Sequence, residues 1–367
     1  MLLTEHSFVR LRGLSGTLVK CVCLTLVLFC FSLKTSKEIL RSFLTQQPIT
    51  NHDMGHFKYS HIDKTGKVVI DVGKYDGAGG FSGGLATVYL EDKGCGFIDK
   101  TGKEKIEPQF EEATCFSEGL AGVHIKDKWG VIDNAGRLVI KPQYDVINGF
   151  SEGVAVAVKG NDVMLINRTG QTIFSRSMDG LQLNVYENAR FSEGLIAAYD
   201  PVKTKTGFID KTGKFVIEPK FNEAGTFTEG VARVAIIEDG EEKLGFIDHS
   251  GQFVISPIFN TDIDFRRSST DFSEGLASLS EGLRPTITEE AKFVYIDKKG
   301  AITMFTNFFY AGPFRDGMAV VYDDERNKWG YIDKTGRIAI PLRYDSASDF
   351  YEGLARVAIQ ETKRLSR

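Results

Sequence analysis

The chain has 367 residues, a net charge of −4 and 26% charged residues, and 42% of its residues are hydrophobic. This balance is typical of a folded protein and excludes a globally disordered chain. A mildly acidic chain also lacks the clustered cations that phosphate contacts need, so we expect no nucleic-acid partner. The 38 glycines and 27 phenylalanines indicate many tight turns between short strands.

The first predicted element is an apolar segment near the N-terminus. Residues 21–33 contain no charged side chain, and Arg10, Arg12 and Lys20 precede them. A basic start followed by a short apolar core is typical of a secretory signal peptide. A membrane anchor over residues 14–33 is the alternative, because about 20 helical residues span the hydrocarbon core.

These features predict a signal peptide or membrane anchor over residues 1–33 and a linker over residues 34–56. We therefore expect a secreted or cell-envelope protein rather than a cytoplasmic one. Cys95 and Cys115 are the two cysteines that follow this region. They are compatible with two buried free thiols or with one disulfide in an oxidising compartment, and the sequence leaves that choice open.

The body of the chain consists of two alternating sequence blocks. The first block resembles Phe-Ser-Glu-Gly-Leu-Ala, and its eight copies begin at Phe81, Phe116, Phe150, Phe191, Phe227, Phe272, Phe314 and Phe350. The second block resembles Asp-Lys-Thr-Gly, and its eight copies begin at Asp63, Asp99, Asp133, Asn167, Asp210, Asp248, Asp297 and Asp333. A block that recurs roughly every 35 to 50 residues indicates a repeat architecture.

Each copy of the two blocks predicts a three-stranded β-meander. Strand-forming residues flank the Asp-Lys-Thr-Gly block, whose aspartate and glycine suit a type I turn, so this block is a hairpin. The second strand of the hairpin runs into a proline such as Pro108, which ends a strand or marks a sheet edge. Alternating residues after Phe-Ser-Glu-Gly, as in Leu120 to His124, form the third strand.

The meanders must pack against one another, because one meander cannot bury its own aromatic face. Unequal copy lengths, and three strands where a propeller blade has four, favour an open arrangement. We therefore expect an all-β fold in which about eight tandem β-meander repeats, over residues 57–359, stack as an open twisted array. Residues 360–367 form a C-terminal tail. The alternative is a closed propeller-like ring.

Two copies contain a further motif, Lys128-Trp129-Gly130 and Lys328-Trp329-Gly330. Together with Ile-x-Pro-x-Tyr and Phe-Ser-Glu-Gly-Leu-Ala, it resembles the WG-repeat family, also called KWG repeats. The resemblance covers about residues 57–359 and implies a β-rich binding or scaffolding protein without catalytic residues to carry over. The chain departs from the family pattern because other residues replace tryptophan in most copies, among them Cys95, Thr206, Leu244 and Phe293.

The recurring carboxylates indicate a structural role. A glycosidase needs a unique pair of carboxylates, whereas these occur once per copy at the same position. Sequence motifs of nucleophilic, phosphate-binding or metal-dependent enzymes are missing from the chain. We therefore expect no enzymatic activity, no cofactor, and no catalytic, cofactor-binding or metal-binding residue. A glycan-acting hydrolase with an acidic groove is the alternative from another class.

Three insertions, at residues 172–190, 260–271 and 281–291, interrupt the period. Insertions in repeat proteins lie in loops and often on the binding face, so Arg266, Arg267, Asp271 and Arg284 are candidate binding residues. We expect a non-enzymatic, exported or envelope-associated protein that presents an extended β surface to a protein or polysaccharide partner. Membrane attachment through residues 14–33 is one option, and a structural spacer without a ligand is a further alternative.

Overall fold

The computed structural model describes residues 57–177, 180, 182–183, 189–260, 271–280 and 293–360. These residues form 31 strands in eight antiparallel sheets. The predicted signal peptide or anchor and the linker lie outside the described residues, as do residues 361–367.

The first four sheets along the chain are blades 1 to 4. Blade 1 contains β3 (Gly77–Ser82), β4 (Leu85–Leu90), β5 (Gly94–Asp99) and β6 (Glu104–Phe110). Blade 2 contains β7 (Glu112–Ala113), β8 (Leu120–Ile125), β9 (Lys128–Asp133) and β10 (Leu138–Tyr144). Blade 3 contains β11 (Val146–Ile147), β12 (Val154–Lys159), β13 (Asp162–Asn167) and β14 (Thr172–Ser177). Blade 4 contains β15 (Gln182–Leu183), β16 (Ile196–Asp200), β17 (Lys205–Ile209) and β18 (Phe215–Phe221).

The remaining sheets are blades 5 to 8. Blade 5 contains β19 (Glu223–Ala224), β20 (Ala232–Glu238), β21 (Glu241–Ile247) and β22 (Phe253–Asn260). Blade 6 contains β23 (Ala277–Ser280), β24 (Phe293–Ile296) and β25 (Ile302–Thr306). Blade 7 contains β26 (Tyr310–Arg315), β27 (Met318–Asp323), β28 (Lys328–Asp333) and β29 (Ile338–Tyr344). Blade 8 contains β30 (Ser346–Ala347), β31 (Ala355–Gln360), β1 (Phe57–Ile62) and β2 (Val68–Asp71).

Blade 8 joins the two ends of the described chain. Its strand order is β2-β1-β31-β30, and β1 pairs with β31 continuously from Phe57–Gln360 to Ile62–Ala355. The eight sheets therefore form a closed, eight-bladed β-propeller, so the expected open twisted array is wrong and the closed ring is correct. An open array would leave these edges of β1 and β31 without backbone partners, whereas closure pairs the six residues of β1 with the six of β31.

Seven of the eight blades have four strands, so the predicted three-stranded meander is also wrong. In five blades the additional strand is only two residues long, and in blade 2 it pairs Glu112 with His124. Blade 6 has three strands among the described residues. Two residues are too few to show an alternating hydrophobic pattern, which is why the sequence gives no sign of this strand.

The glycine and the proline form one structural unit in blades 1, 2, 4 and 5. A Cβ atom on Gly96 would lie 2.5 Å from Pro108 N and 2.7 Å from Ile106 O, because the neighbouring strand bulges towards the glycine at this point. In blades 3 and 6, where Met164 and Val294 replace the glycine, the facing strands contain no proline. Met164 there pairs with Ser175 and Val294 with Phe305 in regular register, which shifts only beside the hairpin turn. The proline therefore does not end its strand; it lies in an edge strand, as a missing N–H donor requires.

The phenylalanine of the first block fills each junction between neighbouring blades. All eight copies are at most 3% exposed. At six junctions this phenylalanine packs against a ring from the preceding blade, with centroids 4.7–5.0 Å apart: His61–Phe81, Phe97–Phe116, Phe208–Phe227, Phe246–Phe272, Tyr295–Phe314 and Tyr331–Phe350. Burying one such side chain contributes about 1.5–3 kcal/mol, so these junctions supply much of the core.

Candidate functional site

The first block makes the same tight turn in every blade. In blade 2 the Ser117 N–H donates to Leu120 O at 2.8 Å, and the Leu120 N–H donates to Ser117 O at 3.0 Å. The two central residues, Glu118 and Gly119, have φ values of 52° and 76°, and both central residues of the other seven turns also have positive φ. Two positive φ values define a type I′ turn, which strains most residues other than glycine, asparagine and aspartate. A glutamate at this position therefore needs compensating contacts.

Those contacts come from the next blade around the ring. Glu118 Oε2 accepts a hydrogen bond from the Gly153 N–H at 2.9 Å, and Arg168 Nη1 lies 3.7 Å from the same oxygen. We call this combination of turn carboxylate, glycine N–H and basic side chain the junction clamp. The carboxylate-to-glycine bond, 2.7–3.3 Å long, occurs in seven pairs: Glu118–Gly153, Glu152–Gly194, Glu193–Gly230, Glu229–Gly275, Glu274–Gly317, Asp316–Gly353 and Glu352–Gly84.

A basic side chain completes six of the seven clamps. It lies 3.0–3.7 Å from the carboxylate in the pairs Lys100–Glu352, Arg168–Glu118, Lys211–Glu152, His249–Glu193, Lys298–Glu229 and Lys334–Glu274. The row of turn carboxylates thus serves the contacts between blades.

The aspartate of the second block stabilises its own hairpin. Asp99 Oδ1 accepts hydrogen bonds from the Thr101 and Lys103 N–H groups at 2.9 and 3.1 Å. The hydrogen bond from the Thr101 hydroxyl is the main cause that lowers the pKa of Asp99 to about 2. Both recurring rows of carboxylates are therefore engaged in turns and junctions.

Blades 7 and 8 depart from the repeat pattern at the turn. In blades 1, 2, 3 and 6 the serine of the first block donates its hydroxyl to the backbone of the next blade, as Ser117 Oγ does to Phe150 O at 2.6 Å. Arg315 and Tyr351 replace this serine in blades 7 and 8. A cavity of about 180 Å³ lies at this place, and it is lined by Ser273, Glu274, Arg315, Asp316, Phe350, Tyr351 and Glu352. We take this cavity, the turn cavity, as the candidate functional site.

Arg315 and Tyr351 interact inside the turn cavity. The Arg315 guanidinium lies over the Tyr351 ring, with its carbon 4.7 Å from the ring centroid, and its Nε is 3.5 Å from Asp349 Oδ2. Burial raises the pKa of Asp349 to about 6, although the Arg315 charge opposes that change. Tyr351 is 41% exposed, so its aromatic ring is accessible from solvent beside the cation of Arg315.

Three carboxylates surround these two side chains. Lys334 lies 3.0 Å from Glu274, and Lys100 lies 3.0 Å from Glu352, so two of the three carboxylates have a cation beside them. Asp316 Oδ2 accepts the Gly353 N–H at 2.7 Å. Within the described ranges, no basic side chain forms an ion pair with Asp316.

Only one of the four predicted binding residues is described. Asp271 directly precedes Phe272, the same repeat position that Asp349 holds before Phe350. Burial raises the pKa of Asp271, against the charges of Arg233, Arg190 and Arg315 in decreasing order. Arg266, Arg267 and Arg284 lie outside the described residues, and all four residues remain predictions.

The sequence-based prediction missed Arg315, Asp349 and Tyr351 because it judged residues by known motifs. The available signal was a departure from the consensus at a fixed repeat position, where serine became arginine in blade 7 and tyrosine in blade 8. In a repeat protein such a departure gives up an interaction that four other copies keep, which is typical of a functional position.

Among the described residues, no group of three or more His, Cys, Asp and Glu side chains is arranged to hold a metal ion. Cys95 and Cys115 are both free thiols. The described segments contain no helix with the length and apolar character needed to cross a membrane.

The closed ring and its two repeated blocks define a β-propeller built from tandem repeats. The model of the WG containing repeat matches residues 60–93, 96–129, 129–161, 207–236, 245–281 and 329–360, which together make up more than half of the chain. The protein therefore belongs to the WG-containing repeat family, as its sequence motifs predicted. No curated protein sequence matches the chain.

Several solved structures are similar to this chain at low sequence identity. A eukaryotic initiation factor aligns with a TM-score of 0.48 and 11% identity, over 80% of this chain and 87% of the other. KlHsv2 with loop 6CD replaced by a Gly-Ser linker aligns with a TM-score of 0.42 and 9% identity, over 70% of this chain and 92% of the other. A streptogramin B lyase aligns with a TM-score of 0.40 and 13% identity, over 83% of this chain and 98% of the other. All three TM-scores are below 0.5, so we infer nothing about function from these likenesses.

Proposed function

We propose that this protein is a non-enzymatic binding protein that uses the turn cavity of its propeller to bind a protein or polysaccharide partner. The observation that carries the proposal is the replacement of serine by Arg315 and Tyr351 at the turn cavity. Each replacement gives up a serine hydroxyl that could donate to the next blade and places a large side chain at the cavity. A concave site with an exposed aromatic ring and a few convergent polar groups is typical of ligand recognition.

The turn carboxylates support binding rather than hydrolysis. A general acid or base must be free to exchange a proton with a substrate, whereas the glutamates of the clamps accept backbone hydrogen bonds and lie beside basic side chains. The protein needs no cofactor for the proposed role. Its acidic charge also disfavours a nucleic-acid partner.

We propose further that the protein is exported and acts in the cell envelope or outside the cell. The basic and apolar N-terminal segment supports this location, with attachment to the membrane through residues 14–33 as one possible form. Cell fractionation of a C-terminally tagged chain tests the proposal. Recovery of the uncleaved chain in the cytosol would contradict export.

The binding role is tested with full-length protein as bait for envelope fractions. The matched variant is Arg315→Ser with Tyr351→Ser, which restores the consensus serine of the other blades and is expected to keep the fold. We expect the wild type to capture a partner and the double variant to lose it, while the two proteins unfold at similar temperatures. Equal capture by both proteins, or capture of nothing by the wild type, would contradict the proposed function.

A further inference from the structure

We propose that the turn cavity binds a basic side chain of a partner protein, with Asp316 as the carboxylate that receives its charge. This inference rests on the proposed function and selects a protein over a polysaccharide as the partner. It follows from the clamp chemistry of the ring, the charge of the turn cavity, and the size and lining of that cavity.

The ring itself shows what each turn carboxylate binds. Six of the seven carboxylates have an Lys, Arg or His side chain from the next blade at 3.0–3.7 Å. Each of these six turn carboxylates therefore accepts a hydrogen bond from a backbone N–H and has a cation nearby. Opposite charges at this distance attract even at a partly exposed site.

Asp316 accepts the backbone hydrogen bond, but no described side chain supplies the cation. Lys64 holds the corresponding sequence position in blade 8, yet the described residues contain no ion pair to Asp316. Aspartate is one methylene shorter than glutamate, and the 2.7 Å bond from the Gly353 N–H holds its carboxylate close to the turn. We infer that the shorter side chain keeps the carboxylate out of reach of Lys64, so that a cation from outside the chain can take its place.

The charges around the turn cavity favour such a cation. Lys334 and Lys100 compensate Glu274 and Glu352, and Asp349 compensates Arg315. Among the residues that line the cavity and their ion-pair partners, Asp316 carries the one charge that no opposite charge compensates. A positively charged ligand is attracted to this site, and an anionic ligand would meet an excess of carboxylates.

The size and the lining of the turn cavity fit one side chain. Its volume of about 180 Å³ is smaller than the roughly 300–1,000 Å³ of pockets that bury a drug-sized molecule. The Tyr351 ring, 41% exposed, offers an aromatic contact of the kind that attracts guanidinium and ammonium groups. Arg315 already shows this contact with the same ring.

The experiment measures binding of a short basic peptide to the full-length protein. Saturation-transfer NMR titrations compare acetyl-Gly-Arg-Gly-amide with the same peptide containing citrulline, which keeps the shape of arginine without its charge, and with one containing glutamate. The test variant is Asp316→Asn, which keeps an oxygen to accept the Gly353 N–H. The matched control is Glu118→Gln, which changes a clamp carboxylate in blade 2 that does not line the turn cavity.

We expect the arginine peptide to bind the wild type and the Glu118→Gln variant within twofold of each other. Asp316→Asn should weaken this binding at least fivefold, and the citrulline and glutamate peptides should bind at least fivefold more weakly than the arginine peptide. No binding of the arginine peptide, equal binding of the citrulline peptide, preferred binding of the glutamate peptide, or an unaltered affinity in Asp316→Asn would each overturn the inference. Should any of these occur while the serine double variant still loses its envelope partner, the proposed function stands and the ligand has another chemistry.

Discussion

The junction between blades 1 and 2 and the junction between blades 2 and 3 are held by different interactions. In the first, the Phe97 and Phe116 rings pack 4.7 Å apart, while Gly83 and Asn134 occupy the positions of the clamp glutamate and its cation. The second junction has the full clamp, but Val131 stands where the aromatic ring of the preceding blade is found elsewhere.

The two junctions nevertheless share two interactions. Ser82 Oγ donates to Phe116 O and Ser117 Oγ donates to Phe150 O, each at 2.6 Å, and both phenylalanines are buried. The buried phenylalanine and the serine bond are thus common to both, and either the ring pair or the clamp can be missing. We infer that phenylalanine burial dominates the stability of a junction and that the clamp adds a smaller contribution.

The largest expected effect is that of Phe116→Ala. Removing this ring leaves a cavity in a closely packed site and should lower the free energy of unfolding by about 3–5 kcal/mol. Phe150→Ala at the clamped junction is the matched variant and should lower it by a similar amount. Chemical denaturation measures both values. A loss below about 1 kcal/mol for Phe150→Ala would show that the clamp, and not the aromatic core, holds its junction.

His61→Tyr tests the junction at which the ring from the preceding blade is a histidine. Burial is the main cause that lowers the pKa of His61 to about 4, and its Nε2 lies 2.8 Å from Gly79 O. Since the unfolded chain has the ordinary pKa near 6.5, the folded state resists protonation. The stability contributed by the neutral ring is present above pH 6.5 and is lost as the pH falls to about 4, by about 3 kcal/mol at most.

The tyrosine variant should remove this acid sensitivity, because Tyr295 and Tyr331 hold the same position and donate their hydroxyls to Gly312 O and Ser348 O. Melting curves of both proteins from pH 7.5 to pH 4.5 measure the effect. The raised pKa of Asp349 changes stability in the opposite direction, but equally in both proteins. Parallel curves for the two proteins would refute the assignment to His61.

A smaller effect is expected when the missing clamp is supplied to the first junction. Gly83→Glu together with Asn134→Lys restores the charge-assisted hydrogen bond, worth about 1.5–3 kcal/mol. The strain of a non-glycine residue at a φ of 61° offsets about 1–2 kcal/mol of that gain. We expect a net stabilisation of about 0.5–1 kcal/mol in thermal unfolding. The control Gly83→Ala adds strain without a clamp and should destabilise the protein. If both variants destabilise it equally, the clamp adds nothing at this junction.

The smallest effect is expected for Glu118→Gln. The amide oxygen still accepts the Gly153 N–H, while the ion pair with Arg168 is lost. We expect a loss of about 0.5 kcal/mol at low ionic strength that disappears at 1 M salt, because exposed ion pairs are weak and screened. Thermal unfolding at two salt concentrations measures the difference. A loss that persists at high salt would mean that the hydrogen bond itself, and not the charge, was changed.

The repeat architecture could be predicted because its interactions are local. Asp99 and Gly102 are three residues apart and form one turn, and the Asp-Lys-Thr-Gly hairpins appear as expected. Ring closure depends on the pairing of Phe57 with Gln360, which no local pattern shows. One signal was present: the array begins with the second block at Asp63 and ends with the first block at Phe350, so the two ends complete one copy.

The candidate site was less accessible to prediction. The turn cavity combines residues from three blades, Ser273, Arg315 and Tyr351 among them, and their approach depends on the closed ring. The repeat pattern could still have shown Arg315 and Tyr351 as exceptions at the serine position. Why Asp316 lacks a cation could not be read from the sequence, because Lys64 stands at the repeat position that supplies the cation in the six other clamps.

The pairing of β1 with β31 has a consequence for the time at which the protein can fold. During synthesis the ribosome releases β1 before every other strand of the propeller, and β31 follows last among them. Until then β1 presents an exposed strand edge that invites pairing with other chains. A chain cut short before Ala355 would keep that edge permanently, so premature termination should produce aggregates rather than a smaller propeller.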